Sequence, residues 1–269
     1  MNELHLFAGA GGGILAGLSL GHTPVCAVEW EPYAQAVLVA RQNDGTFPPF
    51  PIWDDVQQFD GKPWRGIVDV VCGGFPCQDI SVAGQGAGID GERSGMWVHM
   101  ARIICEVQPR YILVENSPAL VTRGLGRVLG DLASMGFDAQ WGVLGASDFG
   151  APHKRERIWI VAHARSQRHE LKDEALCTGR DATKLGSQVM ADSAGVRQPE
   201  SWHQRDAVNC QTHQSWKASN AFNVHGWAAE PGLGRMANGV AHRTHRLKAI
   251  GNGQVPRVAA AAFAILRNK

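Results

Sequence analysis

The first part of the chain alternates short apolar runs with turns and helical segments. A strand is predicted at residues 4–7, and a glycine-rich turn at 8–13 leads into a predicted helix at 14–20. A second strand is predicted at 25–28 and a second helix at 32–41. A β-loop-α-β unit of this kind opens a doubly wound sheet, in which ligands bind beyond the carboxyl ends of the strands. This opening therefore restricts the chain to an α/β fold.

The same alternation continues to about residue 164 and then stops. Further strands and helices are predicted at 68–72, 94–107, 111–114, 124–135, 138–145 and 158–162. Residues 165–235 are rich in polar side chains and Trp and show no periodicity, so we expect them to form a small separate region. An alanine-rich helix follows and runs to residue 267, and we expect Asn252 to cap it. The prediction is a Rossmann-like, doubly wound mixed sheet formed by residues 1–164 and 236–269.

Charge is distributed unevenly between the two halves of the chain. Residues 1–150 carry 8 Lys and Arg against 16 Asp and Glu, whereas residues 151–269 carry 18 against 9. The second half also holds 8 of the 11 histidines. Such asymmetry is typical of a protein with one polyanion-binding half. The alternative is a solvated basic face without a partner.

Cysteine usage and hydropathy indicate where the protein works. The six cysteines form no CxxC pair, which is typical of a reduced compartment. The first residues show no basic stretch followed by an apolar core, as a signal peptide would. No apolar run approaches the roughly 18 residues of a membrane span. We therefore expect a cytoplasmic protein without a membrane partner.

The glycine-rich turn at 8–13 has features of a nucleoside-binding site. Glycines let a ligand approach the backbone closely, and the following helix offers free N–H groups. Ile14 replaces the third glycine of the dinucleotide fingerprint, so a pyrophosphate is not required. Glu29, at the end of the second predicted strand, can accept hydrogen bonds from ribose hydroxyls. The side chains suited to contact the base are Phe7, Trp30 and Asp55. The alternative is a tight turn between strand and helix.

Cys77 follows the strand predicted at 68–72, between Pro76 and Gln78. A thiol beyond the carboxyl end of such a strand is a candidate nucleophile, and the glycine-rich stretch 84–91 after it is a candidate lid. A buried structural cysteine and an ordinary surface loop are the alternatives. This stretch alone does not decide between them.

Six short motifs together resemble those of the DNA cytosine-5 methyltransferase family of bacterial and phage type. They are Phe7-Ala8-Gly9-x-Gly11-Gly12, Glu29-Trp30, Gly74-Phe75-Pro76-Cys77-Gln78, Glu115-Asn116, His153-Lys154-Arg155-Glu156-Arg157 and Gly251-Asn252-Gly253-Gln254-Val255-Pro256. Each is modest alone, but their order and spacing are specific. Two residues depart from the family pattern: His153 stands for a glutamine, and Ser117 for the valine of Glu-Asn-Val. Neither is the nucleophile or the acid, so we expect an active enzyme.

The resemblance implies transfer of a methyl group from S-adenosylmethionine to C5 of cytosine. Cys77, as the thiolate, would add to C6 and make C5 nucleophilic. Glu115 would protonate N3, and Arg155 and Arg157 would supply positive charge. No residue stands out as the base that removes the C5 proton. The cofactor site would comprise Phe7, Ala8, Gly9, Gly11, Gly12, Glu29, Trp30, Asp55, Pro76, Asn252 and Gly253.

The implied partner is double-stranded DNA, from which the target base must be flipped out. Gln78 and Ser81 would hold the gap or the backbone, and residues 165–235 would read the bases. The side chains expected to contact phosphates are Arg93, Arg235, Arg243 and Arg246. We expect a monomer, and a cognate restriction endonuclease acting separately remains open. No metal is expected, because Cys177, Cys210 and His213 do not supply four ligands at zinc spacing.

Three other functions are compatible with parts of the sequence. An RNA cytosine-5 methyltransferase would require tRNA where this chain is expected to require duplex DNA. A catalytically silent DNA-binding module would bind DNA without turnover, but the set Cys77, Glu115, Arg155 and Arg157 argues against it. A nucleotide-dependent dehydrogenase would leave the basic half and Pro76-Cys77 unexplained.

Overall fold

The structure is a computed structural model, and it describes residues 1–76, 95–165 and 243–267. Several sequence predictions lie outside these residues. They concern Cys77, Gln78, Ser81, Arg93 and Arg235, the glycine-rich stretch 84–91, and the recognition region from residue 166 onward.

The centre of the protein is a seven-stranded mixed sheet. Its strands are β1 (Asn2–Leu6), β2 (Thr23–Val28), β3 (Ile52–Trp53), β4 (Val70–Gly73), β5 (Tyr111–Asn116), β6 (Phe137–Leu144) and β7 (Arg157–Ala164). They lie in the order β3-β2-β1-β4-β5-β7-β6. Neighbours from β3 to β5 are parallel, and β7 runs antiparallel to both β5 and β6. The predicted doubly wound mixed sheet is therefore confirmed.

Helices cover both faces of this sheet. They are α1 (Gly12–Ser19), α2 (Pro32–Asn43), α3 (Met96–Val107), α4 (Leu120–Arg123), α5 (Leu125–Ser134), α6 (Arg243–Asn252) and α7 (Pro256–Arg267). Two 3₁₀ turns lie at Lys62–Trp64 and Ala146–Phe149. Within the described ranges, no helix is both long enough and apolar enough to span a membrane.

Side chains of successive strand residues alternate between two buried layers. Ile112 and Val114 of β5 face the layer that contains α3 and α5, whereas Leu113 faces the layer that contains α7. The alanines of α7 are buried in the second layer. Glu115 follows the same alternation, so its side chain lies on the α7 face of the sheet. This is the face on which the candidate site forms.

The structure corrects two expectations about the C-terminal part. Asn252 is the last residue of α6, and α7 begins four residues later, so Asn252 does not cap the alanine-rich helix. Helix α6 was not predicted, because no apolar period marks it and residues 244–248 are exposed. The other boundaries differ from the predictions by one or two residues, as at β5, which includes Glu115 and Asn116.

Candidate active site

The carboxyl ends of β4 and β5 meet the beginning of β7 around one buried acid. Glu115 of β5 is only 9% exposed, and its Oε1 lies 2.9 Å from Nε of Arg157 on β7. β7 runs antiparallel to β5, so the beginning of β7 lies beside the end of β5. Glu115 and Arg157, two of the predicted site residues, are thus brought together as an ion pair.

Burial dominates the electrostatics of this acid. Burial raises the pKa of Glu115 from the ordinary 4.5 to about 7, against the lowering effects of Arg157, Arg155 and a hydrogen bond from Gln254. A carboxyl with this pKa carries its proton for much of the time near neutral pH. It can therefore donate that proton to a substrate nitrogen, as a general acid must.

The segment that precedes Cys77 is fixed directly beside this acid. Asn116 Nδ2 donates a hydrogen bond to the carbonyl of Phe75, at 3.1 Å. Phe75 is buried, with its ring 5.5 Å from that of Trp97. A Cβ on Gly74 would lie 2.7 Å from Glu115 Oε2, so only glycine allows this approach. The chain leaves this contact at Pro76, which is exposed.

Arg155, another predicted site residue, makes its described hydrogen bonds to backbone carbonyls of the C-terminal part. Its Nη2 donates hydrogen bonds to the backbone carbonyls of Ile250, Gly251 and Gly253. Its φ of 39° is unusual for a residue with a side chain. Arg155 therefore holds the end of α6 and the turn that follows it beside the segment that precedes β7. It also lowers the pKa of Glu115, but its described hydrogen bonds go to the turn.

The predicted cofactor loop has the backbone geometry of a tight turn. Phe7, Gly9 and Gly11 have φ values of 53°, 54° and 89°. A Cβ on Gly11 would lie 2.7 Å from the ring of Phe47, so this position requires glycine. At Gly9 a Cβ would have no neighbour within 4 Å, which leaves open space above the loop.

Glu29 connects this loop to the end of β2. Its Oε2 accepts a hydrogen bond from the N–H of Gly9 at 2.6 Å, and its Oε1 accepts one from the N–H of Glu31 at 2.8 Å. Each carboxylate oxygen has a second lone pair, so Glu29 can still accept from a ligand hydroxyl. Trp30 beside it is 73% exposed. Asp55 accepts hydrogen bonds from the backbone N–H of Gln57 and the side chain of Gln58.

The C-terminal part of the chain packs against the predicted cofactor loop. A Cβ on Gly12, the first residue of α1, would lie 2.2 Å from the carbonyl oxygen of Gln254. Lys248 of α6 forms an ion pair with Glu31. Asn252, the last residue of α6, is exposed, and Gly253 in the turn after it is half-buried. Of the predicted phosphate contacts, Arg246 is exposed on α6. Arg243 is the first residue of that helix.

A second polar cluster lies deeper in the same face of the sheet. Glu3 accepts hydrogen bonds from His5 Nε2 at 2.9 Å and from His22 Nδ1 at 2.7 Å, and all three are buried. Ligand atoms of Glu3, His5 and Cys72 lie within 4.8 Å of one another, the spacing of a metal site. However, both Glu3 oxygens are engaged, and burial and Glu3 raise the pKa of Cys72 well above its ordinary value. We therefore interpret this cluster as structural.

Sequence reasoning missed three contributors to the site. Asn116 was noted only as part of a motif, although it ties Phe75 in place. Gln254 was also noted only within a motif, and no pattern indicates that its side chain reaches Glu115. The Glu3 cluster joins residues of β1 and β4 with His22, which immediately precedes β2. Such contacts depend on the order of strands in the sheet, which local sequence does not encode.

Comparison with known proteins identifies relatives of this architecture. The family model described as C-5 cytosine-specific DNA methylase matches residues 1–254. The type II methyltransferase M.NgoBI of Neisseria gonorrhoeae is 36% identical over 162 residues, which are 59% of this chain and 49% of that protein. M.Eco47II of Escherichia coli is 33% identical over 219 residues, 73% of this chain and 50% of that protein. The chain spans about half the length of these curated relatives.

Two solved structures share the fold. A methyltransferase of Entamoeba histolytica, EhMeth, has a TM-score of 0.52 at 17% identity and covers 65% of this chain and 55% of its own. A DNMT2 variant of Spodoptera frugiperda has a TM-score of 0.50 at 23% identity and covers 65% of this chain and 53% of its own. At these identities the similarity shows the fold alone. It agrees with the fold class predicted from the sequence.

Proposed function

Because this chain belongs to the C-5 cytosine-specific DNA methylase family, we propose that it transfers a methyl group from S-adenosylmethionine to C5 of cytosine in double-stranded DNA. The observation that carries this proposal is the environment of Glu115. A buried carboxyl with a pKa of about 7, paired with Arg157, is suited to hold a proton for the cytosine ring.

Cys77 supplies the nucleophile in this proposal. Its thiolate adds to C6 of cytosine and forms a carbon–sulfur bond, while Glu115 donates a proton to N3. The electron pair displaced by this addition makes C5 nucleophilic, so C5 takes the methyl group as the bond between that methyl group and its sulfur breaks and S-adenosylhomocysteine leaves. N3 then returns its proton to Glu115, and loss of the C5 proton to a base restores the C5–C6 double bond and expels Cys77 as the thiolate. Support comes from the segment 74–76, which lies against Glu115 and leads directly to Cys77.

The geometry of the loop after β1 fits S-adenosylmethionine, which supplies an electrophilic methyl group. The backbone at Gly9 is open, and Glu29 keeps acceptor capacity for ribose hydroxyls. The exposed indole of Trp30 offers a surface for an adenine ring, with Phe7 at the start of the loop. We assign the remaining cofactor contacts to Ala8, Gly11, Gly12, Asp55, Pro76, Asn252 and Gly253.

The proposed DNA contacts follow from the position of the target cytosine inside the stacked duplex. Cytosine C5 and C6 in a duplex are stacked, so the base must leave the helix. We assign Gln78 and Ser81 to the gap or the backbone, and residues 165–235 to recognition of the surrounding bases. The phosphate contacts are assigned to Arg93, Arg235, Arg243 and Arg246. In this division, residues 1–164 and 236–269 form the catalytic part.

The test is methylation of a random-sequence duplex library, followed by mapping of 5-methylcytosine. We expect methylation within one defined sequence. Cys77→Ser should abolish turnover and still bind S-adenosylmethionine, whereas Cys26→Ser, at a free cysteine of β2, serves as a matched cysteine control that keeps turnover. Methylation of RNA but not of duplex DNA, or full turnover by Cys77→Ser, would contradict the proposal.

A further inference from the structure

Gln254 lies between the candidate acid and the candidate cofactor loop. Its amide hydrogen-bonds the Glu115 carboxyl. A Cβ on Gly74 would lie 2.7 Å from Glu115 Oε2 and 3.5 Å from Gln254 Nε2, so the two side chains meet above this glycine. At the other end, a Cβ on Gly13 would lie 2.7 Å from Gln254 Oε1. One amide therefore reaches both Glu115 and the first turn of α1.

The backbone of Gln254 is held on two sides. Its carbonyl packs on Gly12, where a Cβ would come within 2.2 Å. Arg155 holds the preceding residue by a hydrogen bond to the carbonyl of Gly253. On the following side, the N–H groups of Val258 and Ala259 both bond to the carbonyl of Val255 and begin α7. A side chain on so constrained a backbone has little freedom to leave Glu115.

We propose that Gln254 is a positioning residue for the acid: its amide holds the Glu115 carboxyl in place beside Arg157 and connects it to the first turn of α1. This inference rests on the proposed function, in which Glu115 protonates cytosine and the loop before α1 holds S-adenosylmethionine. Gln254 touches neither the base nor the transferred methyl group in this scheme. It acts through Glu115.

The amide changes the proton affinity of Glu115 in a definite direction. Glutamine carries no charge, and its N–H donates to the ionised carboxylate, so the bond lowers the pKa of Glu115. The charged groups that also face Glu115 are Arg157 of β7 and Arg155, which precedes that strand, and both act in the same direction. On β1, His5 approaches the same point of Gly13, its Nδ1 lying 3.4 Å from a Cβ placed there.

The experiment follows the protonation of Glu115 directly, without turnover. The carboxyl infrared band that disappears in Glu115→Gln is titrated with pH in the full-length protein and in Gln254→Met, which keeps the side-chain length but removes the amide. We expect the midpoint of the titration to rise by roughly one pH unit. The pH at which turnover falls toward the alkaline side should rise by the same amount.

Two further variants separate positioning from folding. Val255→Ala alters the same turn without touching the amide, so it should leave the midpoint in place even where it lowers turnover. Gln254→Asn keeps an amide, but its side chain is too short to reach the Glu115 carboxyl. It should therefore shift the midpoint as Gln254→Met does. It takes the place of Gln254→Met if that variant does not fold. Midpoints unchanged in folded Gln254 variants would overturn the inference.

The two proposals fail in different ways. If wild-type protein methylates no DNA and the infrared midpoint still shifts, the function is wrong and the contact between Gln254 and Glu115 stands. If wild-type protein methylates DNA and the midpoint does not shift, the function stands and Gln254 is not a positioning residue.

Discussion

Glu115 and Arg157 lie on adjacent antiparallel strands, with Glu115 Oε1 2.9 Å from Arg157 Nε, and yet the pKa of Glu115 is raised to about 7. An arginine at this distance alone would lower the pKa of a carboxyl. Burial of Glu115 outweighs it, so the pair is not a simple salt bridge. Arg157 instead keeps the pKa of a deeply buried acid within the range where it can exchange a proton.

The first prediction concerns the pH dependence of turnover. As a general acid, Glu115 must be protonated, so the rate should fall as the pH rises through about 7. We expect kcat/KM for DNA, which reports ionisations of the free enzyme, to fall about tenfold for each pH unit well above this value. Turnover measured from acid to alkaline pH tests this. A rate that stays constant on the alkaline side would rule out Glu115 as the rate-limiting acid.

Stability should change with pH in the opposite sense from that of an ordinary salt bridge. Between the ordinary pKa of 4.5 and the folded value of about 7, the folded chain binds a proton that the unfolded chain does not. Ionising Glu115 therefore lowers the free energy of unfolding as the pH rises through this window. Glu115→Gln removes the ionisable carboxyl and therefore this loss of stability at higher pH. It should stabilise the protein by up to roughly 3 kcal/mol above pH 7 and by little below 4.5.

Urea unfolding on both sides of this window measures the effect. Glu156→Gln is the matched control, because Glu156 is exposed and its pair with Lys154 lies at the surface. Such pairs contribute little to stability. If Glu115→Gln and Glu156→Gln changed stability equally at every pH, the buried ionisation would not be the cause.

Ionisation of Glu3 should raise the free energy of unfolding, whereas ionisation of Glu115 lowers it. Hydrogen bonds from His22 and His5 lower the pKa of Glu3 from 4.5 to about 2, although burial acts against them. The stabilisation is therefore fully present above 4.5 and is lost as the pH falls through about 2. Glu3→Gln should reduce the free energy of unfolding by roughly 3 kcal/mol near neutral pH, and by less as the pH falls. Denaturant titrations of the wild type and of Glu3→Gln near neutral pH and near pH 3 measure this difference. A loss of stability in Glu3→Gln that stays constant with pH would show that packing alone is responsible.

Much of this architecture could be predicted from local sequence, because a strand buried on both faces has a short, continuous apolar run. Residues 111–114 are one such run, and β5 follows it with a boundary shift of two residues. Glu115 and Arg157 were predicted only as separate members of one catalytic set, and the sheet order brings them into contact. Gln254 and α6 could not be predicted, because their roles arise where distant segments meet. Polar residues at contacts between distant segments follow no periodic pattern in the sequence.

The last prediction compares two helix glycines that have different surroundings. Gly17 of α1 is buried, and a Cβ there would lie 1.8 Å from Glu3 Oε2, inside the Glu3 cluster. Gly130 of α5 is exposed, and a Cβ there would have no neighbour within 4 Å. Alanine in a helix is favoured over glycine by about 1 kcal/mol. We therefore expect Gly130→Ala to stabilise the protein by up to about 1 kcal/mol and Gly17→Ala to destabilise it.

Thermal and urea unfolding of the two variants measure this difference. The Gly17 variant should also lose part of the pH dependence that arises from Glu3, because the added methyl group displaces the carboxylate from its histidines. Gly130→Ala should leave that pH dependence unchanged. If Gly17→Ala were as stable as Gly130→Ala, the carboxylate of Glu3 would have room to move, and the close packing of α1 on β1 would not be what holds the Glu3 cluster together.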